Sequence, residues 1–212
     1  MFIRYLRRFI RKRRADPRDD LVSSLIQAED AGDSMSEDEI LAMTFLLLVA
    51  GHETTVNLIG SGGLELLQHP DQMNRLRRDP SLIRSAIEEL LRFTSPVFMA
   101  TERYAREDVI LHDVTIPKGE MTLGVIGSAN RDGLVFEDPD NLDISRDDNR
   151  HLAFGFGIHF CLGASLARLE SQIAINTLLQ RMPALQLKVP AEELRWRPSL
   201  ILRGLEALPV RF

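Results

Sequence analysis

The 212-residue chain predicts a mainly α-helical fold with small β-sheets. Three observations carry that expectation. A capping box, Ser36 with Glu39, opens an apolar run from Ile40 to Ala50 that only Thr44 interrupts. Helical periodicity returns in 71–78, 82–93 and 162–181. β-Branched residues gather only in short runs between Val109 and Ser128, around Pro117-Lys118-Gly119.

Taken in order, residues 1–14 place Phe2, Leu6 and Phe9 at helical spacing with Ile3 and Ile10 beside them, and seven basic side chains fill the rest. This is a basic amphipathic helix. It lacks the serine enrichment of a transit peptide and the apolar core of a signal peptide, and its ordinary reading is a helix with a solvated basic face. A loop at Asp16–Pro17 leads to a short helix over 19–29 and a turn over 32–36. The run after the capping box continues through the polar Gly51-His52-Glu53-Thr54-Thr55 to Gln68, where His69–Pro70 stops it. Helix 37–68 would be about 50 Å long at 1.5 Å per residue. Eleven apolar residues fall short of a bilayer, so 40–50 reads as a helix buried in a core. Pro96 ends the helix over 82–93, residues 109–128 form a hairpin, 129–160 is irregular, and Leu185–Val189 and Leu200–Val210 are small strands. With no internal repeat or linker, 1–212 reads as one domain.

Composition narrows the function classes. Hydrophobic residues at 44% and charged residues at 27% are globular values, which exclude disordered and fibrous classes. The single cysteine, Cys161, excludes an internal disulfide and points to a reducing, cytoplasmic setting. Beyond residue 14 the chain carries 19 basic against 31 acidic residues, near −12, a poor match for nucleic acid.

The segment Phe154-Gly155-Phe156-Gly157-Ile158-His159-Phe160-Cys161-Leu162-Gly163 concentrates the chemistry. Its glycines allow close backbone approach to a flat ligand, and a cysteine at a helix start has its thiolate favoured by the dipole and free amides. A buried inert cysteine and a cysteine nucleophile with His159 as base are equally compatible with the spacing. Glu89 and Arg92 stand three apart, and phasing sets them with Glu88 opposite the apolar Ile83, Ala86, Ile87, Leu90 and Leu91, on a solvated face.

Phe154, Gly157, His159, Cys161 and Gly163 form the pattern FxxGxHxCxG. It resembles the haem-binding signature of the cytochrome P450 family, and Leu166-Ala167-Arg168 with Glu170 resembles its bacterial branch. The resemblance implies the C-terminal, haem-binding half of the P450 fold with a long central helix. It implies that Cys161 supplies the metal ligand to haem b and that His159 and Arg103 bind its propionates. Ala50-Gly51-His52-Glu53-Thr54-Thr55 resembles the oxygen-activation motif. There Ala50 and Gly51 lie against the haem, and Glu53 and Thr54 relay protons, with Thr54 bonding the Ala50 carbonyl and opening the helix locally. Glu89, Arg92 and Arg146 fall where the family's buried ion network lies, and Val97, Phe98, Met99 and Ile201 resemble segments that line the substrate cavity. Asn130-Arg131-Asp132 is another family-like stretch, without assigned chemistry.

The implied function is a monooxygenase inserting one atom of dioxygen into a small lipophilic substrate. Its electrons come from NAD(P)H through a reductase and a ferredoxin or flavodoxin, because Gly155-x-Gly157 lacks the third glycine and preceding strand of a nucleotide site. The resemblance covers about half of a typical member. This implies a missing N-terminal half, with helix 1–14 the tail of a lid helix. The alternatives are a truncated haem-binding protein without turnover and, more remotely, a cysteine hydrolase.

Overall fold

A computed structural model of the chain describes residues 1–30 and 35–212. Most of the expected 32–36 turn lies outside them. The chain divides into two compact units, Met1–Glu53 and Thr54–Phe212, with the division inside the long helix.

In the first unit, α1 (Phe2–Ala15) and α2 (Leu21–Asp30) precede the start of α3 (Glu37–Gln68). Leu6 and Ile10 of α1 pack with Ile26, Ile40 and Leu41, which is why α1 is amphipathic. Arg7 pairs with Asp38 at 2.9 Å, while the tyrosine and phenylalanine rings of Tyr5 and Phe9 stack along α1. The capping box forms: the Ser36 N–H donates to the Glu39 carboxylate at 2.7 Å and the Glu39 N–H to Ser36 Oγ at 3.3 Å. It fixes the start of α3 at Glu37.

The burial expected for 40–50 needs correction. Ile40 and Leu41 are buried, but Phe45, Leu46, Leu48 and Val49 are exposed, Leu46 by 58%. Counted over its full length, α3 is also long and apolar enough to cross a membrane by length and composition alone, a test that core helices of soluble proteins pass as well. It remains α-helical through Ala50–Thr55, so the expected local opening does not interrupt it.

In the second unit, α4 (Pro70–Arg78) starts on Pro70 at its first turn. The next helix, α5 (Ile83–Thr94), ends at Ser95 in the left-handed region, φ 44°. Leu58 and Leu66 of α3 join Met73, Leu76, Ile87, Leu90 and Leu91 in the main core. Leu142, Ile144 and Ala153 of the irregular segment complete it, together with Ile175 and Leu179 of α7 (Ala164–Arg181).

Among the described residues the β part forms three antiparallel pairs: β1 (Arg103–Tyr104) with β4 (Met121–Thr122), β2 (Val109–Leu111) with β3 (Val114–Ile116), and β5 (Gln186–Leu187) with β6 (Val210–Arg211). The hairpin turns at His112–Asp113, not at Pro117-Lys118-Gly119. His112 takes φ 50°, which histidine tolerates better than β-branched residues do. Pro117 lacks an N–H for the ladder, so its turn ends β3 and returns the chain to β4 through Gly119 at φ 89°. The end of the expected β region is instead the short α6 (Ile126–Ala129).

Gly127 of α6 donates its N–H to the Phe98 carbonyl at 3.0 Å, and a Cβ at this position would lie 2.2 Å from the Phe98 ring. Gly127→Ala is expected to destabilise the fold by about 1–3 kcal/mol through overpacking. Urea denaturation followed by circular dichroism checks this, and an unchanged midpoint contradicts it.

Candidate functional site: the cysteine loop and the buried Glu89 network

The cysteine loop precedes α7 and is held mainly by its own backbone. The Cys161 N–H donates to the Phe154 carbonyl at 2.9 Å, Phe160 N–H to Gly157 at 3.0 Å and Gly155 N–H to Leu152 at 2.8 Å. Gly155 and Gly157 take φ 71° and 72°, a conformation that costs glycine little and a Cβ-bearing residue more. Cys161 is exposed, three residues before α7 begins. A Cβ on Gly163 would sit 3.9 Å from the Cys161 Sγ, so glycine leaves the space beside the sulfur open. Phe156, Ile158, Phe160 and Leu162 are exposed around it, Ile158 by 97%. Such a cluster of uncovered apolar side chains marks a binding surface. His159, in the 3₁₀ turn Gly157–His159, is also exposed.

Behind the loop lies a network that helical phasing misplaced. Glu89 and Arg92 are both 0% exposed. Glu89 Oε2 accepts from Arg92 Nε at 2.8 Å, Arg146 Nε at 3.2 Å and Asn149 Nδ2 at 3.1 Å. Its Oε1 accepts from Arg92 Nη2 at 2.8 Å and the Asp143 N–H at 3.0 Å. Arg92 Nη1 donates to the Asn130 and Pro139 carbonyls, both at 2.8 Å. The helix α5 is thus covered twice, by the apolar core on one face and by the irregular segment on the other.

Asn130, Glu88, His151 and Arg168 make contacts that the sequence reading did not assign. Asn130, fully buried, donates to Ser95 Oγ at 2.9 Å and accepts the Leu152 N–H at 2.7 Å, tying α5 to the approach of the cysteine loop. Glu88 accepts from Arg168 Nε at 2.7 Å, Arg168 Nη2 at 2.8 Å and His151 Nε2 at 3.0 Å. No local spacing signals these pairs, whose members stand 63 and 80 residues apart. Burial works to raise the Glu88 pKa, but the hydrogen bonds from His151 and Arg168 and the charge of Arg168 prevail and lower it from the usual 4.5 to about 2.

A carboxylate depressed in this way stabilises the fold fully above its unfolded pKa, and the contribution is lost as pH falls toward the folded value. Stability is therefore expected to decline between pH 4.5 and about 2, and Glu88→Gln to flatten part of that decline. Urea midpoints measured across this range for both proteins test it; identical slopes contradict it.

The remaining candidates are more dispersed. Arg103 lies in β1 and donates through Nη1 to Thr101 Oγ1, Thr101 O and Glu102 O. Phe98 N–H donates to the Ile201 carbonyl at 2.7 Å and Met99 N–H to the same oxygen at 3.4 Å, while Val97 bridges Leu202. Phe98 also lines a cavity of about 230 Å³ with Trp196 and Arg203. Ala50, Gly51 and Glu53 fall in the first unit and Thr54 in the second, all within α3, and a Cβ on Gly51 would meet nothing within 4 Å.

One soft sulfur in an apolar surround, with open space beside it, suits a flat, metal-centred apolar group. A family model described as Cytochrome P450 matches residues 1–196, and the chain belongs to that family. It is 56% identical over 209 residues to Cytochrome P450 107B1 of Saccharopolyspora erythraea, covering 99% of this chain and 52% of that protein. The tirandamycin C-bound P450 monooxygenase TamI matches at 48% identity and TM-score 0.92, over 98% of this chain and 52% of that one. P450BioI, solved with an acyl carrier protein bearing hexadec-9Z-enoic acid, matches at 50% identity and TM-score 0.90, over 99% and 53%. The chain spans about half the length of these relatives. Haem is the cofactor the family implies, and the donor set fits it: a thiolate candidate for iron, apolar side chains for the ring, and exposed His159 and Arg103 for carboxylates.

Proposed function

We propose that this chain is the haem-bearing part of a bacterial monooxygenase that inserts one atom of dioxygen into a small lipophilic substrate. The observation that carries the reading is the exposed Cys161, set before α7 within a ring of exposed apolar residues. When bound, haem b supplies the iron at which dioxygen, two electrons and two protons yield a hydroxylated product and water.

The protein's part is to bind, orient and deliver protons. Cys161 Sγ ligates the iron, and the Cys161 N–H bond to Phe154 fixes the sulfur's backbone. His159 and Arg103 bind the propionates; Arg103 uses Nη1 on its own loop and offers its Nε–Nη2 edge to a carboxylate. Gly157 and Gly163 bring no side chain toward the ring, and Phe154, Ala50 and Gly51 are assigned to haem contact by their match to the family. The Glu53 carboxylate and Thr54 Oγ1 hold and pass protons. Glu89, Arg92 and Arg146 keep the irregular segment in place behind the loop. Val97, Phe98, Met99 and Ile201 line the substrate cavity. Relatives named a polyketide-biosynthesis P450 and a vitamin D(3) 25-hydroxylase favour an apolar substrate. The protein works in the cytoplasm, with electrons passing from NAD(P)H through a reductase and a ferredoxin or flavodoxin.

A polypeptide equivalent to the rest of the relatives' length would cover the exposed α3 residues Phe45, Leu46, Leu48 and Val49. The same exposure favours the second reading, in which this chain binds haem alone but does not turn over. Family membership offers no support for a cysteine hydrolase.

The test is incorporation of ¹⁸O from labelled dioxygen into a fatty-acid probe by the haem-loaded protein with a ferredoxin and its reductase. Thr54→Ala is expected to lower product formation by about 10²-fold, the scale of a lost proton-transfer group. Haem-loaded protein without product supports the non-catalytic reading, and full turnover in Thr54→Ala contradicts the proton-relay role.

A further inference from the structure

Outside the Glu89 network, one charged cluster grips the cysteine loop from both ends. His151 lies just before the loop and Arg168 on the second turn of α7, just after it, and both bind the Glu88 carboxylate. Each also touches the loop. His151 Nδ1 accepts the Ala153 N–H at 3.2 Å, which leaves Nε2 as the donor to Glu88. The Arg168 guanidinium lies 4.5 Å from the centroid of the Phe154 ring, and the Phe154 carbonyl accepts the Cys161 N–H. Between these anchors the loop has few others, because Phe156, Ile158, Phe160 and Leu162 point their apolar side chains at solvent.

We propose that Glu88 is a positioning residue for the cysteine loop: by joining His151 to Arg168 it holds Cys161 in its presented geometry before haem arrives. A carboxylate suits this task, because two oxygens accept the forked guanidinium and the imidazole N–H together. Glu88 is distinct from its neighbour Glu89. The Arg168 guanidinium that it holds keeps 32% side-chain exposure, so removing the Glu88 charge leaves no fully buried charge behind, and the loss falls on what Glu88 ties. The consequence for haem rests on the haem-thiolate reading; the preorganisation of the loop does not.

The test is amide hydrogen exchange by mass spectrometry on the haem-free chain, for wild type, Glu88→Gln, Glu88→Asp and Arg168→Lys. Exchange across 152–162 is expected to accelerate about tenfold or more in Glu88→Gln and Arg168→Lys, as loss of a charge-assisted bond implies. Exchange across α4 and the core of α5 stays at the wild-type rate, and Glu88→Asp, which keeps the charge, recovers most of the loop protection. Unchanged exchange in 152–162, or uniform acceleration along α5 and α7, overturns the proposal. If Glu88→Gln does not fold, Arg168→Lys decides alone, since it leaves the α5 carboxylate in place. Addition of haemin then gives the second readout: a smaller fraction of the red-shifted, thiolate-type carbon monoxide band in Glu88→Gln than in wild type. Absence of any haem binding by wild type contradicts the functional reading while leaving the exchange result to judge the clamp.

Discussion

Glu89→Gln is expected to lose about 3–5 kcal/mol, the cost of breaking a buried ion pair by removing one partner. The substitution preserves shape but leaves the Arg92 guanidinium, with no solvent exposure, facing a neutral amide, and removes the charge that Arg146 also uses. Native stability is typically about 5–15 kcal/mol, so a loss of this size consumes much of it. Arg92→Lys is expected to do nearly as much damage. The guanidinium makes five hydrogen bonds in a planar array, to Glu89 and to the carbonyls of Asn130, Pro139 and Asn141, and an ammonium cannot reproduce that geometry. Urea melts by circular dichroism provide the measurement, with the exposed Glu102→Gln as a control expected to shift by less than about 0.5 kcal/mol. A Glu89→Gln loss comparable to the control contradicts the account of the network.

Cys161→Ser is expected to weaken haem binding by more than about 10²-fold, beyond the 10–100-fold typical for losing an outer partner of a metal ligand. Serine preserves the size, exposure and N–H bond to Phe154, so loop geometry and melting behaviour stay near wild type while the soft donor is lost. A spectral titration with haemin checks it; equal affinity in both proteins assigns the binding to another group.

Local signals read correctly where chemistry is local. The Ser36–Glu39 box set the start of α3 and His69–Pro70 its end, because caps and proline act within a few residues. The cysteine loop is contiguous, so its residue types were legible together. Phasing failed at Glu89 and Arg92 because it assumes one buried face, whereas the irregular segment 129–149 covers the second face of α5 through contacts up to 60 residues away. Glu88 failed for the same reason. The hairpin was placed on the stronger turn former, Pro117-Lys118-Gly119, but register over Val109–Ile116 set the reversal at His112–Asp113. At 40–50 the apolar pattern was read as burial. The pattern records what a surface is suited to meet, and in this chain Leu46 and Leu48 meet no cover.

The most direct test is the absorbance spectrum of the haem-loaded, reduced, carbon monoxide-bound protein. The account predicts a thiolate-type, red-shifted Soret band in wild type that disappears in Cys161→Ser. An imidazole-type band unaffected by that substitution would contradict it, because the iron would then be held by a residue other than Cys161.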